Sequence, residues 1–270
     1  MNTSSPHADT SPANPIIFCG AGPGDPDLIT VKGQQALADA NLVVYAGSLV
    51  PGALLKWTRP GCRHQSSAGM HLDEMIAVMI DAWKVDEKVV RLHTGDPSLY
   101  GAIFEQMAKL KEHGIPYTVI PGVTAAFAAA AALGIEYTLP EVSQTLILTR
   151  MAGRTPVPET ESLETLAAHR TTMAIYLSVS MAKEMTRVLS KAYGPESACA
   201  VVYRASQPEQ RIIWTTTGQL AETVAQEKIT RTALIVVGQV LDVSLDTLAH
   251  QSKLYDRHFA HGYRVAGEDA

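Results

Sequence analysis

Three short glycine-bearing segments hold the residue types in this chain best suited to seating a small ligand. The first, Gly20-Ala21-Gly22-Pro23-Gly24-Asp25-Pro26, directly follows an apolar run at residues 16–19. Glycines there let the backbone turn sharply and approach a ligand with no side chain in the way, and two prolines stiffen the loop. A dinucleotide fingerprint would require a third glycine at position 25, where Asp25 stands, and a carboxylate there would repel a pyrophosphate. The second segment, Thr94-Gly95-Asp96-Pro97-Ser98-Leu99-Tyr100-Gly101, follows another apolar run at residues 89–93. Asp96 could accept hydrogen bonds from a ribose or an amine; Asp-Pro also opens turns, so a purely conformational role is the alternative. The third, Ile120-Pro121-Gly122-Val123-Thr124-Ala125-Ala126, leads into an alanine-rich stretch ending at Leu133. Thr124 suits a helix N-cap. Small side chains in a first helical turn leave backbone amides open to a ligand, although alanines serve close helix packing equally well.

Other reactive residue types are scattered. His93, just before the second segment, has the titration range of a base, but a hydrogen-bonded structural histidine is the favoured reading. His258 and His261 lie in a polar tail without cysteine or carboxylate company, so no metal site is expected. The three cysteines, Cys19, Cys62 and Cys199, are too scattered for zinc and too few for a disulfide scaffold, which points to a reducing compartment, the cytoplasm. The net charge of −5 argues against a nucleic-acid partner, while leaving room for a local basic pocket facing a small anion. Residues 1–14 are rich in Ser, Thr, Pro and Asn and read as a disordered tail rather than a secretory signal. The most apolar stretch, residues 123–135, is too short to span a bilayer, so no membrane association is expected.

The elements that must position these segments alternate. Residues 16–19, 42–45, 89–93 and 117–120 read as buried strands. Between them Leu72, Met75, Ile76, Met79, Ile80 and Trp83 recur at helical spacing. Ile103, Met107 and Leu110 repeat that pattern in a helix ended by His113 and Gly114. Such alternation predicts an α/β fold with a largely parallel sheet and helices on both faces. In the second half, residues 144–149, 172–177, 198–203, 211–214 and 233–237 are strand candidates. Two of them flank 205–210 closely enough for a hairpin, so a mixed sheet is expected there. The reading divides the chain into a tail (1–14), an N-terminal domain (15–121), a C-terminal domain (122–245) and a C-terminal tail (246–270).

Taken together, the three segments resemble the tetrapyrrole methylases, or class III methyltransferases. The likeness continues through Thr172-Met173-Ala174-Ile175-Tyr176-Leu177 and Ala205-Ser206-Gln207-Pro208-Glu209-Gln210-Arg211, covering about residues 16–240. Any one motif is weak, whereas five in order are strong. The resemblance implies two α/β domains with S-adenosylmethionine bound in the cleft between them, usually in a homodimer. Carried over position by position, it implies cofactor contacts from Pro23, Thr94, Gly95, Asp96, Leu99, Thr124 and Ala125, and from Leu177 and Ala205 of the second domain. Relatives methylating uroporphyrinogen carry an acid where Ala46 stands here. Tyr45-Ala46-Gly47-Ser48-Leu49-Val50, Ser67-Ala68-Gly69-Met70, Thr149-Arg150-Met151-Ala152-Gly153-Arg154-Thr155-Pro156 and a tail at 254–264 resemble the branch acting on precorrin-4 at carbon 11, in cobalamin biosynthesis.

That resemblance implies methyl transfer by in-line displacement, with the protein holding donor and acceptor aligned; such positioning supplies on the order of 7–11 kcal/mol in favourable cases. The carboxylates of a precorrin call for cations. Arg150 and Arg154 are the first choices because Arg grips a carboxylate through two hydrogen bonds; Lys56, Arg59, His64 and His71 follow. No residue is named as a catalytic base. The alternatives are the cobalt-containing form of the same acceptor, another precorrin, and, from other classes, a dinucleotide-dependent oxidoreductase or a tetrapyrrole carrier.

Overall fold

The computed structural model describes residues 14–247 and 252–265. The expected tail at 1–14 thus lies, except for Asn14, outside the described residues, as does part of the tail at 246–270. The chain forms two compact units that divide between Ala125 and Ala126.

The first unit holds a five-stranded, wholly parallel sheet in the order β3-β2-β4-β1-β5. Its strands are β1 (Ile16–Gly20), β2 (Leu42–Tyr45), β3 (Arg63–Ser66), β4 (Val89–His93) and β5 (Tyr117–Ile120). Its helices are α1 (Val31–Asp39), α2 (Leu72–Lys84) and α3 (Ile103–Glu112). The chain leaves β1 toward β2 in one direction and leaves β4 toward β5 in the other. Right-handed crossovers then require α1 on one face and α2 and α3 on the opposite one. The packing agrees: Ala36 and Leu37 of α1 cover Cys19, Val43, Val90 and Leu92, while Met75, Met79 and Leu110 cover Phe18, Val44 and Val89. Each fully buried side chain such as Phe18 or Met79 contributes roughly 1.5–3 kcal/mol. Helix α2 starts at a capping box in which His71 and Glu74 exchange hydrogen bonds between side chain and backbone.

The second unit holds a mixed five-stranded sheet in the order β6-β7-β10-β8-β9. Strands β6 (Leu146–Arg150) and β7 (Thr172–Tyr176) are parallel; β8 (Ala198–Tyr203), β9 (Arg211–Thr216) and β10 (Ala233–Val237) join antiparallel. Helix α4 (Ala125–Leu133) packs on one face through Ala126, Ala128 and Ala129; α5 (Leu163–Ala167), α6 (Ala182–Tyr193) and α7 (Leu220–Gln226) cover the other. Both the mixed sheet and the β8–β9 hairpin, with Tyr203 opposite Arg211, follow the sequence pattern.

Strand β3 is not among the expected strands, and the ends of β1, β6, β7 and β9 lie one or two residues from the expected ones. Strand β3 carries no apolar residue in Arg63-His64-Gln65-Ser66 and pairs only with β2 at the sheet edge, so it lacks the signature of a buried strand. Strand β6 begins at Leu146 rather than 144, because its ladder with β7 starts at Leu146 opposite Thr172 and Gln144 turns its amide to the Thr138 carbonyl. No helix among the described residues is long and apolar enough to cross a membrane.

Candidate active site

The three glycine-bearing segments emerge from β4, β1 and β5, which are neighbours in the sheet. Because β1 and β4 lead off in opposite directions, their carboxyl ends form the kind of switch point at which α/β sheets bind ligands. The loops are packed backbone to backbone. A Cβ on Gly20 would lie 2.6 Å from the Gly122 backbone, and one on Gly122 would lie 2.2 Å from the Gly95 carbonyl oxygen. Gly22 and Gly95 form an antiparallel bridge, the Gly95 amide donating to the Gly22 carbonyl at 2.8 Å and the Gly22 amide donating back at 3.2 Å. Gly20 and Gly122 therefore admit neighbouring loops.

Asp96 fastens this junction. Its Oδ1 accepts from the Ser98 amide at 2.8 Å and the Ser98 hydroxyl at 2.5 Å, and its Oδ2 accepts from the Gly122 amide at 2.8 Å. Burial alone would raise its pKa, but those hydrogen bonds outweigh burial and hold the carboxyl below its ordinary value. The conformational role is thus realised in Asp96, and any ligand contact uses the lone pairs that remain. Thr94, Gly95 and Leu99 are half-buried on the same loop, Pro23 and Thr124 are buried, and Ala125 is half-buried at the start of α4. Asp25 accepts from the Asp27 amide at 2.9 Å and starts a single 3-10 turn, not a helix pointed at a pyrophosphate.

His93 lies at the end of β4 with 4% of its surface exposed, and its Nε2 has no hydrogen-bond partner. Burial and then the nearby Arg91 push its pKa down to about 3, so it is neutral at physiological pH. The buried, neutral ring speaks for the structural reading, with no hydrogen bond at Nε2.

In the second unit the positions singled out by resemblance lie in or beside strained backbone. Leu177 follows β7 at φ +54° with 63% of its surface exposed. A leucine both left-handed and solvent-facing carries two unfavourable features at once, a pattern typical of functional loops. Ala205 is buried between Arg204 and Ser206, whose φ angles are +48° and +65°. Ser178 stitches the ends of β6 and β7, accepting from the Met151 amide at 2.8 Å and donating to the Tyr176 carbonyl at 2.7 Å. The Tyr176 hydroxyl accepts from the Ala126 amide at 2.9 Å in the first turn of α4. Neither link was read from sequence; both join residues at least 27 positions apart, with no local pattern to reveal them.

The proposed carboxylate-binding cations differ from one another. Arg150 donates to the carbonyls of Met151, Thr155 and Pro156 at 3.1, 3.1 and 2.8 Å and so shapes its own loop, whereas Arg154 is exposed. Lys56 pairs with Asp27, Arg59 donates to the Ala40 carbonyl, His64 contacts the Thr58 hydroxyl and His71 caps α2. Each of these four thus has a partner within the first unit. Among the described residues no group of three or more His, Cys, Asp or Glu side chains could hold a metal ion.

A family model described as Tetrapyrrole (Corrin/Porphyrin) Methylases matches residues 15–221. The chain belongs to the tetrapyrrole methylases. A Methanocaldococcus jannaschii relative named cobalt-precorrin-4 C(11)-methyltransferase is 50% identical over 92% of this chain and 95% of its own length. One from Pseudomonas aeruginosa named precorrin-4 C(11)-methyltransferase is 49% identical over 92% and 98%. Among solved structures, a cobalt precorrin-4 methyltransferase of cobalamin biosynthesis is similar with a TM-score of 0.82 and 45% identity, over 84% of this chain and 96% of that one. A uroporphyrin-III C-methyltransferase from Thermus thermophilus, complexed with S-adenosyl homocysteine, gives 0.68 and 27% over 84% and 93%. This tetrapyrrole methylase therefore shares its α/β architecture with enzymes that methylate the macrocycle.

Proposed function

We propose that this tetrapyrrole methylase transfers the methyl group of S-adenosylmethionine to carbon 11 of precorrin-4, giving precorrin-5, in cobalamin biosynthesis. The observation that carries the reading is that C(11) stands in the names of relatives 50% and 49% identical over 92% of the chain. The first name specifies the cobalt form and the second does not, so cobalt-precorrin-4 is the alternative acceptor.

The residues present fit S-adenosylmethionine. The three motif segments contain no Lys, Arg or His, and their acids are Asp25 and Asp96. Such a surface accommodates a sulfonium and disfavours a pyrophosphate. Proposed contacts are Pro23, Thr94, Gly95, Asp96, Leu99, Thr124 and Ala125, with Leu177 and Ala205. Leu99 and the exposed Leu177 offer apolar surface suited to an adenine. The bound cofactor supplies an already activated methyl group. The chain's own part is to orient and to exclude water: the Gly20–Gly122 and Gly22–Gly95 contacts fix the loop backbones before any ligand arrives. Arg154, and Arg150 with its remaining N–H groups, are the proposed partners of the macrocycle carboxylates.

The protein is proposed to work as a homodimer in the cytoplasm, in keeping with the family resemblance and with Cys19, Cys62 and Cys199 standing as free thiols. Carbon-labelled S-adenosylmethionine offered with precorrin-4 and with cobalt-precorrin-4 tests the reading. NMR should find the new methyl at carbon 11 of one of them. A methyl elsewhere on the ring, or none despite tight cofactor binding, contradicts the choice of substrate while sparing the family.

A further inference from the structure

Beneath the second loop lies a buried polar cluster that methyl transfer itself does not call for. Arg91, on β4, is 6% exposed, and Gln106, on α3, is 3% exposed. A guanidinium in such a place is costly unless it is compensated. No acidic side chain among the described residues forms an ion pair with it. Its partners are neutral: Nε donates to Gln106 Oε1 at 3.1 Å and Nη1 donates to the Val44 carbonyl at 3.3 Å.

The other end of Gln106 shows where the cluster leads. Its Nε2 donates to the Ala102 carbonyl at 2.9 Å. Ala102 is left-handed at φ +48°, has no side-chain cap for α3, and ends a run in which Tyr100 is also left-handed at φ +58°. Gly101 between them is so closely folded that a Cβ would lie 2.1 Å from the Pro97 carbonyl oxygen. Strained backbone of this kind persists only where its surroundings over-determine it. Arg91 stands three residues before the loop and Gln106 four residues after it, so their contact closes the loop at its base.

We propose that Arg91 and Gln106 are positioning residues, a clasp that holds residues 94–102 in the shape required for S-adenosylmethionine. The clasp rests on the reading of this loop as a cofactor loop. It acts through the loop and touches neither the methyl donor nor the macrocycle.

Gln106→Glu separates clasping from core packing. The carboxylate keeps its bond to Arg91 and loses the donor to Ala102. The full-length variant should keep its melting temperature, bind S-adenosylmethionine about tenfold more weakly, the worth of one buried hydrogen bond, and show a KM for cofactor that rises more than kcat falls. A second variant guards against misfolding. Arg91→Met with Gln106→Leu fills the cluster with apolar groups, an exchange that often preserves stability. It should melt at or above the parent temperature and still bind weakly. Hydrogen exchange across residues 94–102, with and without S-adenosylmethionine, completes the test. Loop protection by cofactor in the parent, reduced in both variants, supports the clasp. Protection in the parent with parent-like affinity in either folded variant overturns the clasp alone. A parent that binds cofactor with no protection of this loop overturns the cofactor-loop reading, and the clasp with it.

Discussion

The two sheets have five strands each, yet they bury different kinds of polar group and shape their loops by different means. The parallel sheet's unit buries Arg91, His93 and Gln106 with Thr124; among the described residues the buried polar groups of the mixed sheet's unit are Thr149, Thr172, Ser178 and Thr217, hydroxyls only. A hydroxyl needs only one carbonyl, as Thr172 finds in Tyr137 at 2.9 Å and Ser178 in Tyr176 at 2.7 Å. A guanidinium held only by neutral partners and an imidazole whose Nε2 has no partner have no such easy solution. The loops diverge likewise. At the Gly20–Gly95–Gly122 junction glycine contacts bring backbones together, while around Leu177 and Ala205 non-glycine residues, Leu177, Arg204 and Ser206, are held left-handed. The lesson concerns two places: the Gly20–Gly95–Gly122 junction is built by close approach and the loops at Leu177 and Ala205 by strain, so substitutions in the two should move stability and binding differently.

The largest effect is expected at Gly122. Gly122→Val inserts a Cβ 2.2 Å from the Gly95 carbonyl oxygen and should destabilise by about 3 kcal/mol or more in denaturant unfolding, with cofactor binding lost. The matching change in the second region should split the two readouts. Leu177→Gly relieves a left-handed leucine and should gain about 1 kcal/mol of stability, while calorimetry finds weaker S-adenosylmethionine binding. Loss of both at Leu177 would dissolve the contrast.

His93 gives the next effect. Its folded pKa of about 3 lies below the unfolded value of 6.5, so the unfolded chain binds the extra proton. The stability from keeping this ring neutral is complete above about pH 6.5 and declines as pH falls toward 3. Between pH 7 and pH 5 the parent should lose about 2 kcal/mol more than His93→Phe does. Equal acid sensitivity would remove His93 from the account.

Asp96→Ala should cost about 1–3 kcal/mol by freeing the Gly122 and Ser98 amides, besides weakening cofactor binding. Unchanged stability would mean that the loops hold without it. The smallest stability effect belongs to the exposed Arg154. Arg154→Met should shift stability by less than about 0.5 kcal/mol while raising the KM for the macrocycle. An unchanged KM would remove it from the substrate site.

Much of this contrast was legible before the fold was known, though unevenly. Apolar runs such as Val89-Val90 and Ala233-Leu234-Ile235-Val236-Val237 declare buried strands, and the spacing from Leu72 to Trp83 declares α2. The edge strand β3 declares nothing, because one neighbour and partial exposure place no demand on its side chains. The loop junction was half-legible: glycines announced close approach, but not that Gly20, Gly95 and Gly122 approach one another. Leu177 and Ala205 were reached only through family resemblance, since strain at φ leaves no mark on residue type. The Arg91–Gln106 bond, between a strand and the following helix, has no sequence signature.

The most direct test of the central claim, that the carboxyl-end loops of the parallel sheet seat the methyl donor, is a crystal structure of the full chain with S-adenosylhomocysteine. The account predicts the product lying against Pro23, residues 94–96, Leu99, Thr124 and Ala125, with the Gly20–Gly122 contact intact. Product bound away from all three loops would contradict it.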